Sequence, residues 1–374
     1  MKIKAAVLYE MGQPEPYAQS RPVQIEELDL DGPGAGEVLV KVAAAGLCHS
    51  DLSVINGARP RPLPMVLGHE ASGVVAEVGA GVADLKPGDH VVFVFVPSCG
   101  HCVPCAEGRP ALCEPGAAAN AAGTLLAGGR RLHKGAAALN HQVGVSCFAE
   151  YATVSRRSLV KVDRELGLEE AALFGCAVIT GVGAVVNTAR LRPGASVAVV
   201  GLGGVGLNAL LGARMAGARR IVAIDLLDDK LALARQLGAN DTFNAAADDV
   251  VEAVRAATGG GADYAFEMVG NVKAMELAYR ITRRGGETVS SGLSHPDHSF
   301  SVQHVNLVGE ERTIKGSYLG SCVPQRDIPN YIALYQQGRL PVDRLMSERV
   351  GLDEVNEAFD RLASGHTVRQ LIVF

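Results

Sequence analysis

The stretch SVAVVGLGGVGLNAL, Ser196 to Leu210, limits what this chain can fold into more than any other. A β-branched apolar run stops at Gly201, and Gly201, Gly203 and Gly206 then fit G-x-G-x-x-G at the start of a helical pattern. Glycines at these places allow a tight turn. They also let the main-chain N–H groups around Leu202, Gly204 and Val205 approach a pyrophosphate at a helix N-terminus. On its own the pattern is weak, because glycine-rich turns follow many buried strands. Its setting is stronger. The next apolar strand, RIVAID, ends at Asp225, about 20 residues on, where a carboxylate accepts from the 2′-hydroxyl of an adenosine ribose. A 2′-phosphate would be repelled there, so NAD is expected over NADP.

Strand and helix continue to alternate downstream. RIVAIDL, DYAFEMVG and TVSSGL are short apolar runs, most of them separated by helix-like segments such as LDDKLALARQLG. That alternation predicts a doubly wound parallel sheet. Upstream the texture differs. EVLVKVAAAG, ASGVVAEVGAG, DHVVFVFVP and FAEYATVS are strand-like runs broken by glycine and proline. The tail adds two helical pieces, PNYIALYQQG and DEVNEAFDRLASG, and a last strand, RQLIVF. The chain therefore reads as α/β, with a β-rich domain (residues 1–177 and 320–374) interrupted by a nucleotide-binding domain (178–319).

Charge and flanks exclude several classes. Lys plus Arg is 35 against 40 for Asp plus Glu, and a net charge of −5 offers no footprint for nucleic acid or an anionic membrane. MKIKAAVLYEMGQPEP has no signal-peptide core. The most span-like stretch, Ser196–Ala218, is interrupted by glycines, an Asn and an Arg. A cytoplasmic protein is expected.

Half of the eight cysteines lie in CGHCVPCAEGRPALC, as Cys99, Cys102, Cys105 and Cys113. A disulfide framework belongs to short secreted domains. The spacing C-x2-C-x2-C-x7-C suits thiolate ligands of one tetrahedral metal ion better. An iron–sulfur centre is the rival, but its bacterial run has a shorter last gap followed by Pro; here Glu114 follows. Three more candidates are dispersed: Cys48 in AGLCHSD, His69 in VLGHEASG and Cys176 in LFGCAVITG. Singly, each has an ordinary reading as a small core residue or a surface imidazole. Together, two thiolates and an imidazole match an open zinc site that leaves one position for water or substrate.

With these residues in view, the chain resembles the zinc-dependent medium-chain alcohol dehydrogenases, a GroES-like catalytic domain interrupted by a Rossmann domain. The likeness runs from GEVLVKVAAAGLCHSD through GHE, the four-cysteine lobe (97–115) and GLGGVG to Arg369. It implies two zinc ions per chain, one on Cys48, His69 and Cys176 and a structural one on Cys99, Cys102, Cys105 and Cys113. Asp51 and Glu70 become carboxylates behind the first zinc, Asp51 orienting the His69 ring. His49 and Arg369 are implied to face the pyrophosphate. Thr180, Lys230, Ser291, Gly292 and Leu293 match other cofactor positions, and Phe95 a wall of the substrate pocket. The implied chemistry is a metal-acidified alcohol giving hydride to a nicotinamide, with Ser50 taking the hydroxyl proton. Without Cys48 beside it, Ser50 would read as a turn-capping hydroxyl.

Two departures bear on substrate and proton exit. Many members carry His three positions after the relay hydroxyl; here it is Ser53. The glutathione-dependent formaldehyde branch has acids at the pocket mouth, whereas NGARPRPLP supplies Arg59 and Arg61. Polyol enzymes often use Glu as third ligand, where this chain has Cys176. A silent nucleotide-binding relative would have lost zinc ligands, and none is lost. The expected substrate is a small primary alcohol, allylic, aromatic or of medium chain length, or its aldehyde. Residues 114–144 resemble the insert of the longer, mostly dimeric members, and are expected to line the pocket. A homodimer is expected, a tetramer being the alternative.

Overall fold

The computed structural model describes all residues, Met1–Phe374. They divide into two compact units: Met1–Cys176 with Val323–Ala333 and Met346–Phe374, and Ala177–Cys322 with Leu334–Leu345.

In the first unit, Lys2–Leu8, Val23–Leu30, Leu132–Lys134, Ala137–His141 and Met65–Val66 close a small barrel. Lys2–Leu8 lies ahead of the β-rich texture read from about Val23, and it pairs antiparallel with Val23–Leu30 along its whole length. A seven-stranded sheet runs in the order Leu159–Val162, His90–Phe93, Ala71–Val78, Glu37–Gly46, Arg369–Val373, Met346–Val350, with Tyr151–Ser155 also on Glu37–Gly46. The strand Glu37–Gly46 (10 residues) is buried at all but Lys41 and Ala43, so its apolar run is that of a strand covered on both faces. The core around it includes Leu47, Leu52, Ile55, Leu67, Phe93 and Phe148. Burying these side chains contributes about 1.5–3 kcal/mol each for the larger ones.

The second unit is a six-stranded, all-parallel sheet in the order Asp241–Asn244, Arg220–Asp225, Ser196–Val200, Ala262–Glu267, Thr282–Ser290, Thr313–Gly316. This is the doubly wound order, which puts the strand order's reversal beside Ser196–Val200. The helix Gly204–Met215 follows that strand directly. Gly206 has to be glycine: a Cβ there would lie 1.7 Å from the Gly201 carbonyl oxygen.

Two placements differ from expectation. Residues 320–322 and 334–345 belong to the second unit, not the first. Leu340, Val342 and Leu345 are buried, and the turn Val342–Leu345 packs on the helix Gly204–Met215. Residues 114–144 are not a simple pocket loop. They form the helix Glu114–Ala122 and the hairpin Leu132–Lys134/Ala137–His141, which completes the barrel.

That hairpin ends on His141, fully enclosed, whose Nε2 accepts from the Arg131 N–H at 3.1 Å. Burial, aided by nearby Arg130, Arg131 and His133, pulls its pKa down to about 3. A depressed histidine pKa means the folded state refuses a proton that the unfolded chain takes below about pH 6.5. The stability is therefore complete above pH 6.5 and falls as pH drops toward 3. Wild-type protein should lose about 2 kcal/mol more than His141→Asn between pH 6.5 and 5, as measured by urea denaturation across that range.

Candidate active site

Four potential ligand groups of the first unit, Cys48, His69, Glu70 and Cys176, are all buried, with ligand atoms within 4.8 Å of one another. Local structure delivers each one. Cys48 is the N-cap of the helix His49–Ile55. His69 and Glu70 stand between the strands Met65–Val66 and Ala71–Val78, and Cys176 follows the turn Leu173–Gly175. Asp51, in the first turn of that helix, is completely enclosed. Its Oδ2 accepts from the Cys48 N–H at 3.0 Å, and its Oδ1 meets His69 Nδ1 at 2.7 Å. The same carboxylate thus caps the helix that carries one thiol and orients the imidazole.

The electrostatics follow from burial and proximity. The Cys176 thiol donates to Cys48, holding Cys48 well below the usual thiol range against its burial, with His69 assisting. Cys176 is pushed up by that same donation and by burial. Burial alone would lower His69, but the charge and hydrogen bond of Asp51 raise it well above its ordinary value. Glu70 is raised by burial, and Arg369 opposes this. The Arg369 guanidinium is in close ionic contact with Glu70, yet both Glu70 oxygens and the Arg369 Nε and Nη2 lack a well-aligned hydrogen bond. Contact without alignment leaves the pair under-satisfied. Arg369, expected at a pyrophosphate, has its side chain 4% exposed and against Glu70.

The expected neighbours are distributed as follows. Phe95 stands edge-on to His69, ring centroids 5.4 Å apart, and its carbonyl accepts from Asn120 Nδ2 at 2.7 Å, so the 114–144 segment buttresses it. His49 is exposed and Ser50 half-buried, both in the first turn of the Cys48 helix. Ser53 Oγ donates to the His49 carbonyl at 2.9 Å, a back-bond within the helix that occupies its proton. Arg59 is half-buried, in the turn after that helix.

A second group of thiols lies apart. Cys99, Cys102, Cys105 and Cys113 also converge within 4.8 Å, and none is in a disulfide. Main-chain N–H groups aim at the sulfurs, Cys102 at Cys99 Sγ (3.3 Å) and Cys99 at Cys113 Sγ (3.1 Å). Such donors from His101 and Cys102 bring Cys99 down to about 6, while burial takes Cys105 up to about 12. Sulfur donors only, in a closed set of four, fit a structural zinc ion; two thiols and an oriented imidazole fit an open one.

In the second unit Gly201, Gly203 and Gly206, Asp225 and Ser291, Gly292 and Leu293 end or follow the strands Ser196–Val200, Arg220–Asp225 and Thr282–Ser290. Asp225 ends its strand, where Oδ2 accepts from the Leu202 N–H at 2.7 Å and Oδ1 from the Leu227 N–H at 3.1 Å. The carboxylate is fixed by the glycine turn itself and retains acceptor capacity for a hydroxyl. Gly203 has nothing within 4 Å of where a Cβ would be, and the Ser291 hydroxyl is buried with no hydrogen-bond partner. An open turn, a fixed acid and an orphaned hydroxyl fit a dinucleotide. Thr180 is buried on the helix Ala177–Gly183, and Lys230 is half-buried on Asp228–Leu237. Gly292 packs against Gly270, while Leu293 is 49% exposed.

Two family models match the chain. The zinc-binding dehydrogenase family model covers residues 204–337 and the alcohol dehydrogenase GroES-like domain model residues 34–164. The chain belongs to the zinc-dependent medium-chain alcohol dehydrogenases. It is 40% identical to the NDMA-dependent alcohol dehydrogenase of Amycolatopsis methanolica, over 100% of this chain and 99% of that one. Solved structures include an alcohol dehydrogenase zinc-binding domain protein from Burkholderia ambifaria (TM-score 0.93, 38% identity, 100% and 99% coverage). A second is benzyl alcohol dehydrogenase from Acinetobacter calcoaceticus (TM-score 0.93, 34% identity, the same coverage). A zinc alcohol dehydrogenase-type oxidoreductase with a small-molecule substrate and a nicotinamide cofactor is what this alcohol dehydrogenase chain shares with its relatives.

Two residues carried no sequence signal that was read. Gln142 donates from Nε2 to Asp51 Oδ1 at 2.8 Å, and a lone Gln in a loop-like stretch has no motif. Glu267 ends the strand Ala262–Glu267 as Asp225 ends its own, which is the signal that could have found it. Its buried carboxylate accepts from the Val269 N–H (2.7 Å), the Gly270 N–H (2.6 Å) and Ser290 Oγ (2.6 Å). Glu267→Ala would leave these donors unpaired. It should cost about 1–3 kcal/mol in urea denaturation, the scale of lost bonds to a charged acceptor whose donors are part-buried and reached by water.

Proposed function

We propose that this enzyme is an NAD-linked dehydrogenase interconverting a primary alcohol, allylic, aromatic or of medium chain length, with its aldehyde, and that each chain carries two zinc ions. The observation that carries the reading is the buried Cys48, His69 and Cys176 set with His69 Nδ1 taken by Asp51. With Nδ1 committed, the other ring nitrogen is the one left to join the two sulfurs as a ligand. When bound, zinc supplies Lewis acidity toward an alcohol oxygen and the nicotinamide a hydride acceptor. Cys48, His69 and Cys176 would hold the first zinc, and Cys99, Cys102, Cys105 and Cys113 the second. Asp51 keeps the imidazole from turning. Glu70 and Arg369 place a balanced charge pair behind the thiols, and Phe95 gives the imidazole an apolar neighbour that keeps water away.

Ser50 Oγ is the group to take the hydroxyl proton, next but one to Cys48 at the start of the same helix. Ser53 cannot pass it on, because its hydroxyl already donates to the His49 carbonyl. The fixed Asp225 carboxylate supports NAD over NADP through its charge. Arg59 and Arg61 weigh against a glutathione adduct, and the benzyl alcohol relative supports an aromatic substrate. Eight cysteines, none of them in a disulfide, support a reducing, cytoplasmic setting, and no single helix is long and apolar enough to cross a membrane. Val305 and Val308, 73% and 63% exposed on the helix His304–Gly309 that precedes the edge strand Thr313–Gly316, support a homodimer. The name of the Amycolatopsis relative gives a second reading, an activity that depends on NDMA.

The test is a panel of alcohols assayed with NAD, NADP and NDMA, alongside elemental analysis. Two zinc ions per chain, NADH formation and a preference for NAD are expected. Asp225→Gly should relax that preference about a hundredfold, roughly 3 kcal/mol. Active protein holding a single zinc, or wild type using NADP equally, would overturn the reading.

Ser50→Ala should keep both zinc ions and nucleotide affinity while turnover falls by about 10²–10⁴-fold, the usual contribution of a positioned proton-transfer group. Ser53→Ala should leave turnover nearly unchanged. Steady-state rates with deuterated and ordinary alcohol check both; near wild-type turnover in Ser50→Ala, with the same isotope effect, would refute the relay.

A further inference from the structure

We propose that Gln142 is a positioning residue that braces the ligand His69 from two directions at once. The inference rests on the reading of Cys48, His69 and Cys176 as a zinc site. Gln142 is 3% exposed. Its Nε2 donates to Asp51 Oδ1 at 2.8 Å, on the oxygen that also meets His69 Nδ1. Its Oε1 accepts from the main-chain N–H of Gly68, the residue immediately before His69. One amide therefore ties the carboxylate that orients the imidazole to the backbone that carries it.

The assignment of oxygen and nitrogen in this amide is forced. Turned over, it would set its oxygen against the Asp51 carboxylate and its NH₂ against the Gly68 N–H, two like-to-like contacts at full burial. The main chain at Gly68 is pinned on its other side too, since its carbonyl accepts from the Cys147 N–H at 3.1 Å. Gly68 stands at φ +96°, and a Cβ there would lie 2.4 Å from the Phe148 nitrogen. The segment entering His69 thus has no freedom to adjust by itself, and its hydrogen-bond partners set the ligand's place.

The turn presenting Gln142 is also costly to form. Val143 at φ +44° and Ser146 at φ +55° are both left-handed without being glycine. For the β-branched Val143 that conformation is a genuine outlier. Ser146 repairs part of it, its hydroxyl donating to the Val66 carbonyl (2.7 Å) and accepting from the Gln142 N–H (2.9 Å). The Asp51 oxygens face the Cys48 N–H on one side and the His69 ring on the other. The Gln142 N–H on Oδ1 adds a third partner, so that turning the carboxylate about its last bond would break all three contacts.

Release of zinc to a chromophoric chelator tests this on purified holoenzyme, because it reads the two metal sets separately and does not depend on turnover. Two variants are needed, Gln142→Glu, which keeps the acceptor for Gly68 and loses the donor to Asp51, and Gln142→Met, which fills the volume without either. Both should release the zinc of the Cys48 set about 10–100-fold faster than wild type, the usual effect of an outer partner of a ligand. The four-cysteine zinc should leave at its normal rate. Cobalt substituted at the Cys48 set should show altered visible bands in both. Unchanged release in both variants, or equal acceleration at both metal sets, would overturn the positioning role; the second result would mean that Gln142 supports the fold in general. Wild-type protein that takes zinc only on the four-cysteine lobe would instead remove the reading beneath it.

Discussion

The Asp51 carboxylate is the constraint on which the rest of the first unit's site depends. It is wholly enclosed, and it accepts from the Cys48 N–H, His69 Nδ1 and Gln142 Nε2. Burying a carboxylate is costly unless its oxygens are taken up by donors. Here the donors come from a helix start, a strand connection and the end of the barrel hairpin. Satisfying one acid therefore brings three separate stretches of chain together, and the Cys48 thiol and the His69 imidazole arrive with them. Glu70 and Arg369 repeat the theme as an ion pair behind the thiols, at side-chain exposures of 0% and 4%.

The second unit uses the same device at the ends of parallel strands. Asp225 accepts from the N–H groups of Leu202 and Leu227, and Glu267 from those of Val269 and Gly270. Carboxyl ends of neighbouring parallel strands open into loops with unpaired N–H groups, and an acid closing each strand shapes the loop by accepting from them. The glycine turn and its acid are thus one hydrogen-bonded piece before any nucleotide arrives, so less ordering remains to be done on binding.

Much of this was legible in the residues and some was not. The alternation after Ser196 read correctly as a doubly wound parallel sheet because the central strands Ser196–Val200 and Arg220–Asp225 are buried on both faces and the helix Asp228–Leu237 carries its own periodicity. The strand Lys2–Leu8 was passed over; paired from end to end with Val23–Leu30, it acquires its meaning from that partner. Residues 114–144, rich in alanine and glycine, gave no period, and their hairpin exists because the barrel needs strands between Val23–Leu30 and Met65–Val66. Leu334–Leu345 lies with the second unit because a few isolated apolar side chains find a helix there, and isolated residues leave no pattern.

By itself, the sequence determined the chemistry of the parts: four thiols at short spacing, glycines and an acid around a strand end, and a thiol and an imidazole in separate short motifs. Those are local properties, since a donor atom or a permissive φ belongs to a residue and its near neighbours. Tertiary structure alone decided which parts meet. Cys48, His69 and Cys176 converge only when strands from the whole first unit close around them. Arg369 turns to Glu70, and Gln142 to Asp51 and Gly68, because a buried charge or amide must find its partner wherever packing has put one. No spacing rule connects residues 51, 69 and 142. The need to satisfy buried polar atoms in a close-packed interior does, and it operates only once the chain is folded.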